Sequence, residues 1–181
     1  MAARLLPLLL PPLTLALALS LAGCGATPKT YDLSAAAPGK GARGTLVVEA
    51  ARADPPFDGD LIVIRTGDEL QRLGGAQWAD ALPRLAQSRV TESLENAGWR
   101  VGDSGAARLR IAIRRFEIDS ARREARVELA AQFSRGGPVV ARLFAASEPV
   151  GEISGAAPAQ ALDRAFGRVL DDLARWTAAP R

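Results

Sequence analysis

Two adjacent stretches in which apolar and polar residues alternate constrain the fold of this chain more than any other feature. The first, ARLRIAIRRFEIDS, carries Leu109, Ile111 and Ile113 on one face. A period of two residues is that of a β-strand with one buried face. Because only SARR separates the two stretches, they are predicted to form an antiparallel pair. The second stretch, EARVELAAQFS, directs five apolar residues to one side: Ala125, Val127, Leu129, Ala131 and Phe133.

The outward positions of these two predicted strands are rich in arginine and glutamate. Arg108, Arg110 and Arg114 form a row on the first strand, and Glu124 and Glu128 lie on the second. This row is either a contact for lipid headgroups or an acidic partner, or a solvated face that the glutamates neutralise. The second interpretation is favoured. The alternation changes phase at positions 114–115, which predicts a β-bulge or the end of the sheet.

Further strands and two helices are predicted around this pair. Apolar residues recur at helical spacing over residues 81–97 and 159–176, with polar residues away from the stripe. The glycine pair Gly74-Gly75 indicates a small irregular hairpin between two short segments. Three more strands are predicted at apolar or β-branched runs, namely TLVVEAA (45–51), LIVIRT (61–66) and VVARLFAAS (139–147).

Together these elements predict one α+β domain over residues 44–178. The expected architecture is a two-layer sandwich with a mostly antiparallel sheet, and the two helices pack on one face of that sheet. The other face is expected to carry polar side chains. A chain of 181 residues is consistent with one domain.

Residues 1–23 have the pattern of a bacterial signal peptide. Arg4 is followed by an apolar run without charge, whose three prolines disfavour a stable membrane-spanning helix. The run closes in small residues, as a processing site does. The ending LAGC resembles the lipobox of bacterial lipoproteins, in which the peptide is cut before the cysteine and the cysteine is acylated. Cys24 is therefore predicted to be lipidated; the alternative is an ordinary apolar residue that ends an uncleaved anchor.

Residues 24–43 are predicted to form a lipidated tether, because glycine, alanine and proline are frequent there. One short strand is possible around residues 31–33. Several acyl chains on one residue would hold the protein at a membrane. Gly25 stands where enterobacterial lipoproteins of the inner membrane carry aspartate. By resemblance to those lipoproteins, the absence of this aspartate implies that the protein is anchored at the periplasmic face of the outer membrane.

The composition excludes the usual catalytic and metal chemistries. The chain has no histidine and one cysteine, so neither a Ser-His-Asp nor a Cys-His arrangement can form. The usual ligands of zinc, haem and iron–sulfur clusters are missing for the same reason. The net charge is +3 without a Lys/Arg block, so nucleic-acid binding is not expected. No catalytic residue, metal or cofactor is predicted; a carboxylate hydrolase is disfavoured because no acidic pair occupies converging positions.

The segment from residue 58 to residue 101 resembles the ABC-type transport auxiliary lipoproteins, the group that includes paraquat-inducible protein C. The shared pattern is a strand carrying IVxR, a short xEL stretch, a tryptophan and then a helix. The early YDL, with Tyr31 and Leu33, also resembles the start of that family. The positions that match the longer pattern are Ile62, Val63, Arg65, Glu69, Leu70, Trp78 and the helix from Pro83.

The resemblance implies a non-enzymatic accessory of an ABC-type system that moves phospholipid or other lipids between two membranes. The implied partners are an MCE-domain substrate-binding protein and the permease and ATPase of the transporter, and the membrane contact is the lipid anchor. A second interpretation is a lipoprotein that assists outer-membrane assembly or activates a cell-wall synthase.

Tyr31, Leu33, Arg65 and Trp78 are the candidate partner contacts under this resemblance. Each has an internal alternative, and the internal alternative is favoured. Trp78 would then pack in the core, and Arg65 would pair with a nearby carboxylate. Tyr31 and Leu33 would add an edge strand to their own domain.

Overall fold

The structure is a computed structural model that describes residues 27–39 and 41–179. The predicted signal peptide and Cys24 lie outside the described residues. The described part of the chain forms two helices, α1 (Leu82–Asn96) and α2 (Ala157–Ala178). It also forms nine strands: β1 (Lys29–Tyr31), β2 (Thr45–Val48), β3 (Arg52–Ala53), β4 (Leu61–Thr66), β5 (Glu69–Trp78), β6 (Arg100–Val101), β7 (Ala107–Asp119), β8 (Glu124–Arg135) and β9 (Val140–Pro149).

The two alternating stretches form the long antiparallel hairpin β7–β8, as predicted. A register shift between Ile113 and Arg115 confirms the bulge predicted at the change of phase. Because the bulge adds one residue, Phe116 and Ile118 return to the buried side of the strand. The apolar residues before and after the bulge therefore belong to one core.

The sheet is mixed, which corrects the prediction of a mostly antiparallel sheet. Three pairings are antiparallel, those of β4–β5, β7–β8 and β8–β9. Five are parallel, those of β1–β5, β2–β6, β2–β7, β3–β7 and β4–β7. The strands β2, β3 and β4 lie one after another along the same edge of β7. They can run parallel to it because α1 carries the chain back before β7 begins. The alternation of apolar and polar residues predicts which face of the sheet a residue occupies, but it does not predict whether neighbouring strands run parallel or antiparallel.

The β4–β5 hairpin turns at Gly67-Asp68, so the turn predicted at Gly74-Gly75 is wrong. The glycine pair lies inside β5, where the register against β4 shifts between Leu61 and Val63. Gly75 has a φ of +70°, a conformation that glycine adopts at no steric cost. The pair therefore marks a bulge in one continuous strand, and glycine supplies the backbone freedom that the bulge needs.

Both predicted helices are present, and each observed bound lies within two residues of the predicted one. The apolar stripes of both helices belong to the buried core, and α2 joins it through an aromatic contact. The ring of Phe116 lies 5.6 Å from Trp78 and 5.6 Å from Phe166 of α2, both in edge-on geometry. The α+β class is confirmed, and the two-layer arrangement stays a prediction.

The residues that follow β1 lie against the domain and do not form a free tether. We call residues 32–39 and 41–43 the strap. Leu33 and Ala36 of the strap belong to the buried core, with 3% and 9% of their surface exposed. The folded domain therefore begins at β1, ahead of the boundary predicted at residue 44. The sequence did not show this because alanine and glycine dominate the segment and form no periodic pattern.

Hydrogen bonds attach the strap to both helices. The backbone N–H of Ser34 donates to Asp163 of α2 at 2.6 Å, and that of Ala36 donates to Ser93 Oγ of α1 at 2.9 Å. Farther along, two amides of the strap donate to the carbonyl of Ala97, just after α1. These bonds satisfy backbone groups that a loop would otherwise leave to water.

Gly98 offers a test of this packing. Its φ is +105°, and an added Cβ would lie 2.7 Å from the carbonyl oxygen of Ala42 in the strap. We expect Gly98→Ala to lower the free energy of unfolding by about 2 kcal/mol, because it strains the backbone and displaces the strap. Gly102→Ala is the control, since a Cβ there meets nothing within 4 Å; its effect should stay below about 0.5 kcal/mol. Urea denaturation followed by circular dichroism measures both, and equal effects would contradict the close packing.

Candidate functional site

The side chains that alternate with the core residues of β7 and β8 form a separate face of the sheet. The core residues point toward α2, where the rings of Phe133 and Trp176 lie 5.6 Å apart. Side chains at the alternate positions point the opposite way. We call these outward side chains, together with their neighbours on β2, β3 and β4, the polar face. On β7 and β8 it includes Arg108, Arg110, Ala112, Arg115, Glu117, Asp119, Glu124, Arg126, Glu128, Ala130, Gln132 and Ser134.

A buried carboxylate on the polar face is compensated by an arginine of β4. Glu117 is 0% exposed, and Nε of Arg65 lies 2.8 Å from its Oε1. The parallel register, in which Val63 is the partner of Glu117, brings β4 beside this carboxylate. The hydrogen bond to Glu117 raises the pKa of Arg65. Because the other oxygen, Oε2, has no hydrogen-bond partner, the carboxylate depends on the arginine charge for its stability in the interior.

Further charges extend this pair into a network along β7. Nε of Arg115 lies 3.7 Å from Glu117 and 3.4 Å from Glu128 of β8. At the end of β7, Asp119 accepts hydrogen bonds from the backbone N–H of Arg122 at 3.0 Å and from its guanidinium at 2.8 Å. These two bonds lower the pKa of Asp119. Asp119 is therefore held as a carboxylate at the end of the β7–β8 hairpin.

A groove of roughly 500 Å³ lies on the polar face beside the bulge. Ala112 and Ala130 contribute small apolar side chains to its lining, and charged residues line it as well. Nε of Arg110 donates to Glu49 at 2.6 Å, and this hydrogen bond lowers the pKa of Glu49. The groove thus combines a small apolar area with paired charges, which suits contact with a protein surface.

The acidic partners of the arginine row differ from those expected. Arg110 pairs with Glu49, which follows β2. Arg114 lies 3.6 Å from Asp54, which follows β3. Glu128 pairs with Arg115 instead. We predicted that the glutamates of β8 neutralise the arginine row. The acidic partners of Arg110 and Arg114 instead come from beside the parallel strands on the other edge of β7, which the sequence pattern did not predict.

The structure brings together two of the four candidate partner contacts. Tyr31 is half-buried and is the register partner of Trp78 across β1 and β5. Trp78 and Leu33 are buried, with 1% and 3% of their surface exposed. Arg65 belongs to the polar face, away from the core that holds Trp78. The internal roles agree with this geometry, and a partner contact by these residues stays a prediction.

Sequence reasoning missed Glu117 and Asp119 as members of the site. Both lie at outward positions of a strand, where a carboxylate usually meets water. Their burial follows from the parallel placement of β4 beside β7, which the pattern of residues did not show. The one available signal was the clustering of two carboxylates between apolar residues in FEID.

The sequence profile of the family described as "ABC-type transport auxiliary lipoprotein component" matches residues 31–174, from the end of β1 into the last turns of α2. The chain belongs to this family. The match includes the strap, α1, most of α2 and all the strands that form the polar face.

Solved structures with the same fold are known from other proteins. Protein XCC0632 of Xanthomonas campestris, titled as a member of family DUF330, superposes with a TM-score of 0.76 at 27% identity, over 83% of this chain and 95% of that one. A second structure, titled "uncharacterized protein", superposes with a TM-score of 0.70 at 15% identity, over 83% of this chain and 98% of that one, and shows the fold alone.

A curated relative extends the likeness to a further bacterium. "Uncharacterized protein bll6063" of Bradyrhizobium diazoefficiens is 40% identical in an alignment of 111 residues that covers 55% of this chain. The chain covers only 30% of that protein's length.

Neither α1 nor α2 is long and apolar enough to cross a membrane. Over residues 27–39 and 41–179, no three or more aspartate, glutamate, cysteine or histidine side chains converge as metal ligands would.

The pairing of Arg65 with Glu117 can be tested by a double-mutant cycle. We expect Arg65→Ala to lower the free energy of unfolding by about 2–3 kcal/mol, because it leaves a buried carboxylate without its main counter-charge. Adding Glu117→Gln should recover more than half of this loss. Arg84→Ala is the control: its ion pair with Asp80 is exposed and should matter much less. Strictly additive effects of Arg65→Ala and Glu117→Gln in urea denaturation would contradict the coupling.

The low pKa of Asp119 predicts a pH-dependent contribution to stability. The folded pKa lies below the unfolded value, so the stabilisation is complete at neutral pH and is lost as the pH falls through the folded pKa. Asp119→Asn should therefore melt below the wild type at pH values near 7, and the difference should shrink below about pH 4. Thermal unfolding over a pH series measures this, and a constant difference at all pH values would count against the ionic role.

Proposed function

We propose that the chain is a non-enzymatic, lipid-anchored accessory of an ABC-type system that moves phospholipid or other lipids between the inner and outer membranes. Its partners in this proposal are an MCE-domain substrate-binding protein and the transporter's permease and ATPase. The observation that carries the proposal is the family match over residues 31–174 in a chain with a lipobox at Cys24.

The short link between Cys24 and β1 supports a position close to the membrane. Cys24 precedes Lys29, the first residue of β1, by five positions. An extended chain spans about 3.5 Å per residue, so this link reaches at most about 18 Å. An acylated Cys24 would therefore keep β1 near the lipid surface. Gly25, which replaces the aspartate of inner-membrane lipoproteins, favours the periplasmic face of the outer membrane.

The ionisable groups of the chain favour a role in binding a partner protein and not a role in catalysis. The chain has no histidine, and its single cysteine is assigned to the anchor. A general acid or base works best with a pKa near the working pH, whereas hydrogen bonds from Arg122 lower the pKa of Asp119. In this proposal the helices form one layer of a two-layer sandwich, and the polar face of the sheet is the surface offered to partners.

Affinity purification tests the partnership. The tagged, full-length protein, extracted in mild detergent from membranes of its own bacterium, is expected to retain an MCE-domain protein and the transporter subunits, identified by mass spectrometry. The matched control is a tagged lipoprotein of the same membrane from another family. Recovery of cell-wall synthases or outer-membrane assembly proteins, with no MCE-domain protein, would overturn the assignment.

Substitution of Cys24 tests the anchor separately. We expect the Cys24→Ala variant to be lost from the outer-membrane fraction, because the acyl chains can no longer be attached. Labelling with an alkyne fatty acid should disappear in the same variant. Ser20→Ala, in the same leader, is the control and should keep both properties. Continued outer-membrane fractionation of Cys24→Ala would refute anchoring through this residue.

A further inference from the structure

Strand β9 ends the sheet on one side and has an unpaired edge. Within the described residues it pairs with β8 alone. One other hydrogen bond reaches its backbone, from Arg168 to the carbonyl of Ser147 at 3.5 Å. A strand edge presents a row of backbone donors and acceptors that can pair with a further strand. Over most of its ten residues, β9 offers such a row.

Exposed aliphatic side chains are concentrated at this edge. In the described part of the chain, five large hydrophobic residues are exposed, and three of them are Val139 (65%), Val140 (43%) and Leu143 (56%). Leu143 is the register partner of Ala130, which in turn is the partner of Ala112. An apolar strip therefore runs across three strands of the polar face and ends at the edge of β9.

The edge lacks the features that usually prevent strand addition. Natural edge strands are blunted by charged side chains, prolines, bulges or a covering segment. Between Val140 and Ser147 the only charged residue is Arg142, and its guanidinium lies over the ring of Phe144, 5.0 Å from the ring centre. The β8–β9 register is regular along this segment, and the only proline within β9 is Pro149 at the end of the strand.

The charges around the edge favour an acidic partner. Arg142 lies on β9, and Arg164 and Arg168 lie beside it on α2, where both face Glu148. Two guanidinium groups thus share one carboxylate, and among the described residues no carboxylate forms an ion pair with Arg142, which lies six residues before Glu148 on β9. Glu128, which is opposite Ala145, is already paired with Arg115. The surroundings of the edge therefore carry a positive excess.

We propose that the free edge of β9 binds an extended segment of a partner protein as a tenth strand. Backbone hydrogen bonds supply the pairing, and the partner's side chains alternate between apolar and acidic. Its apolar residues lie beside Leu143 on the polar face, and its acidic residues lie beside Arg142 on the side of α2. This inference goes beyond the proposed function, because β9 could bind such a strand whether or not the protein takes part in lipid transport.

A binding experiment with two defined peptides tests the proposal. The probes are capped nine-residue peptides in which valine alternates with glutamate in one and with lysine in the other, added to the full mature chain in detergent. We expect the glutamate peptide to bind at least about tenfold more tightly than the lysine peptide. In hydrogen exchange, amides of residues 140–147 should become protected on its addition while those of β5 do not change.

Matched variants locate the site. Leu143→Lys should weaken binding of the glutamate peptide at least about tenfold, whereas Leu70→Lys, a similarly exposed leucine on β5, should leave it unchanged. Equal binding of the two peptides, no binding, or protection outside β9 overturns the proposal. A dimer in sedimentation analysis that Leu143→Lys dissociates also overturns it, because the edge would then bind a second copy. None of these results bears on purification with transport partners, which tests the proposed function by itself.

Discussion

The backbone pairing of β7 is the interaction on which the rest of the domain depends. One edge of this strand pairs with β8 along its whole length, and the other pairs with β2, β3 and β4 in turn. A change in its register would move every side chain on it to the opposite face. The bulge between Ile113 and Arg115 adds one residue, and as a result Phe116 lies in the core and Glu117 lies on the polar face.

Glu117 is buried because β4 pairs with β7 beside it. This burial connects the pairing of the strands with the shape of the polar face. The parallel strand β4 covers the carboxylate and supplies Arg65 to compensate it. Burying a charge is costly unless a partner is close, so this pair restricts β4 to one position beside β7. The polar face is therefore a preorganised surface, and a rigid surface loses less entropy on docking than a mobile one.

The elements that could be predicted from the sequence are those encoded by local periodicity. The two helices, the β7–β8 hairpin and the bulge all follow from the spacing of apolar residues such as Ile111, Phe116 and Leu129. Strand direction, the acidic partners of Arg110 and Arg114, and the docking of the strap depend on contacts between distant segments. The composition of a segment does not encode the backbone hydrogen bonds of Ser34 and Ala36 to the helices, so this alanine-rich segment is predicted as a tether although it packs against the domain.

In the proposed function, the protein is a fixed docking element at a membrane, with its edge strand and polar face available to other proteins. Exchange of labelled phospholipid between the inner and outer membranes tests this central claim most directly. A strain that lacks the gene should exchange lipid more slowly than the wild type. The wild-type gene should restore the rate, whereas the Cys24→Ala variant should not. Equal exchange rates in the deleted and wild-type strains, with the transporter expressed in both, would contradict the account.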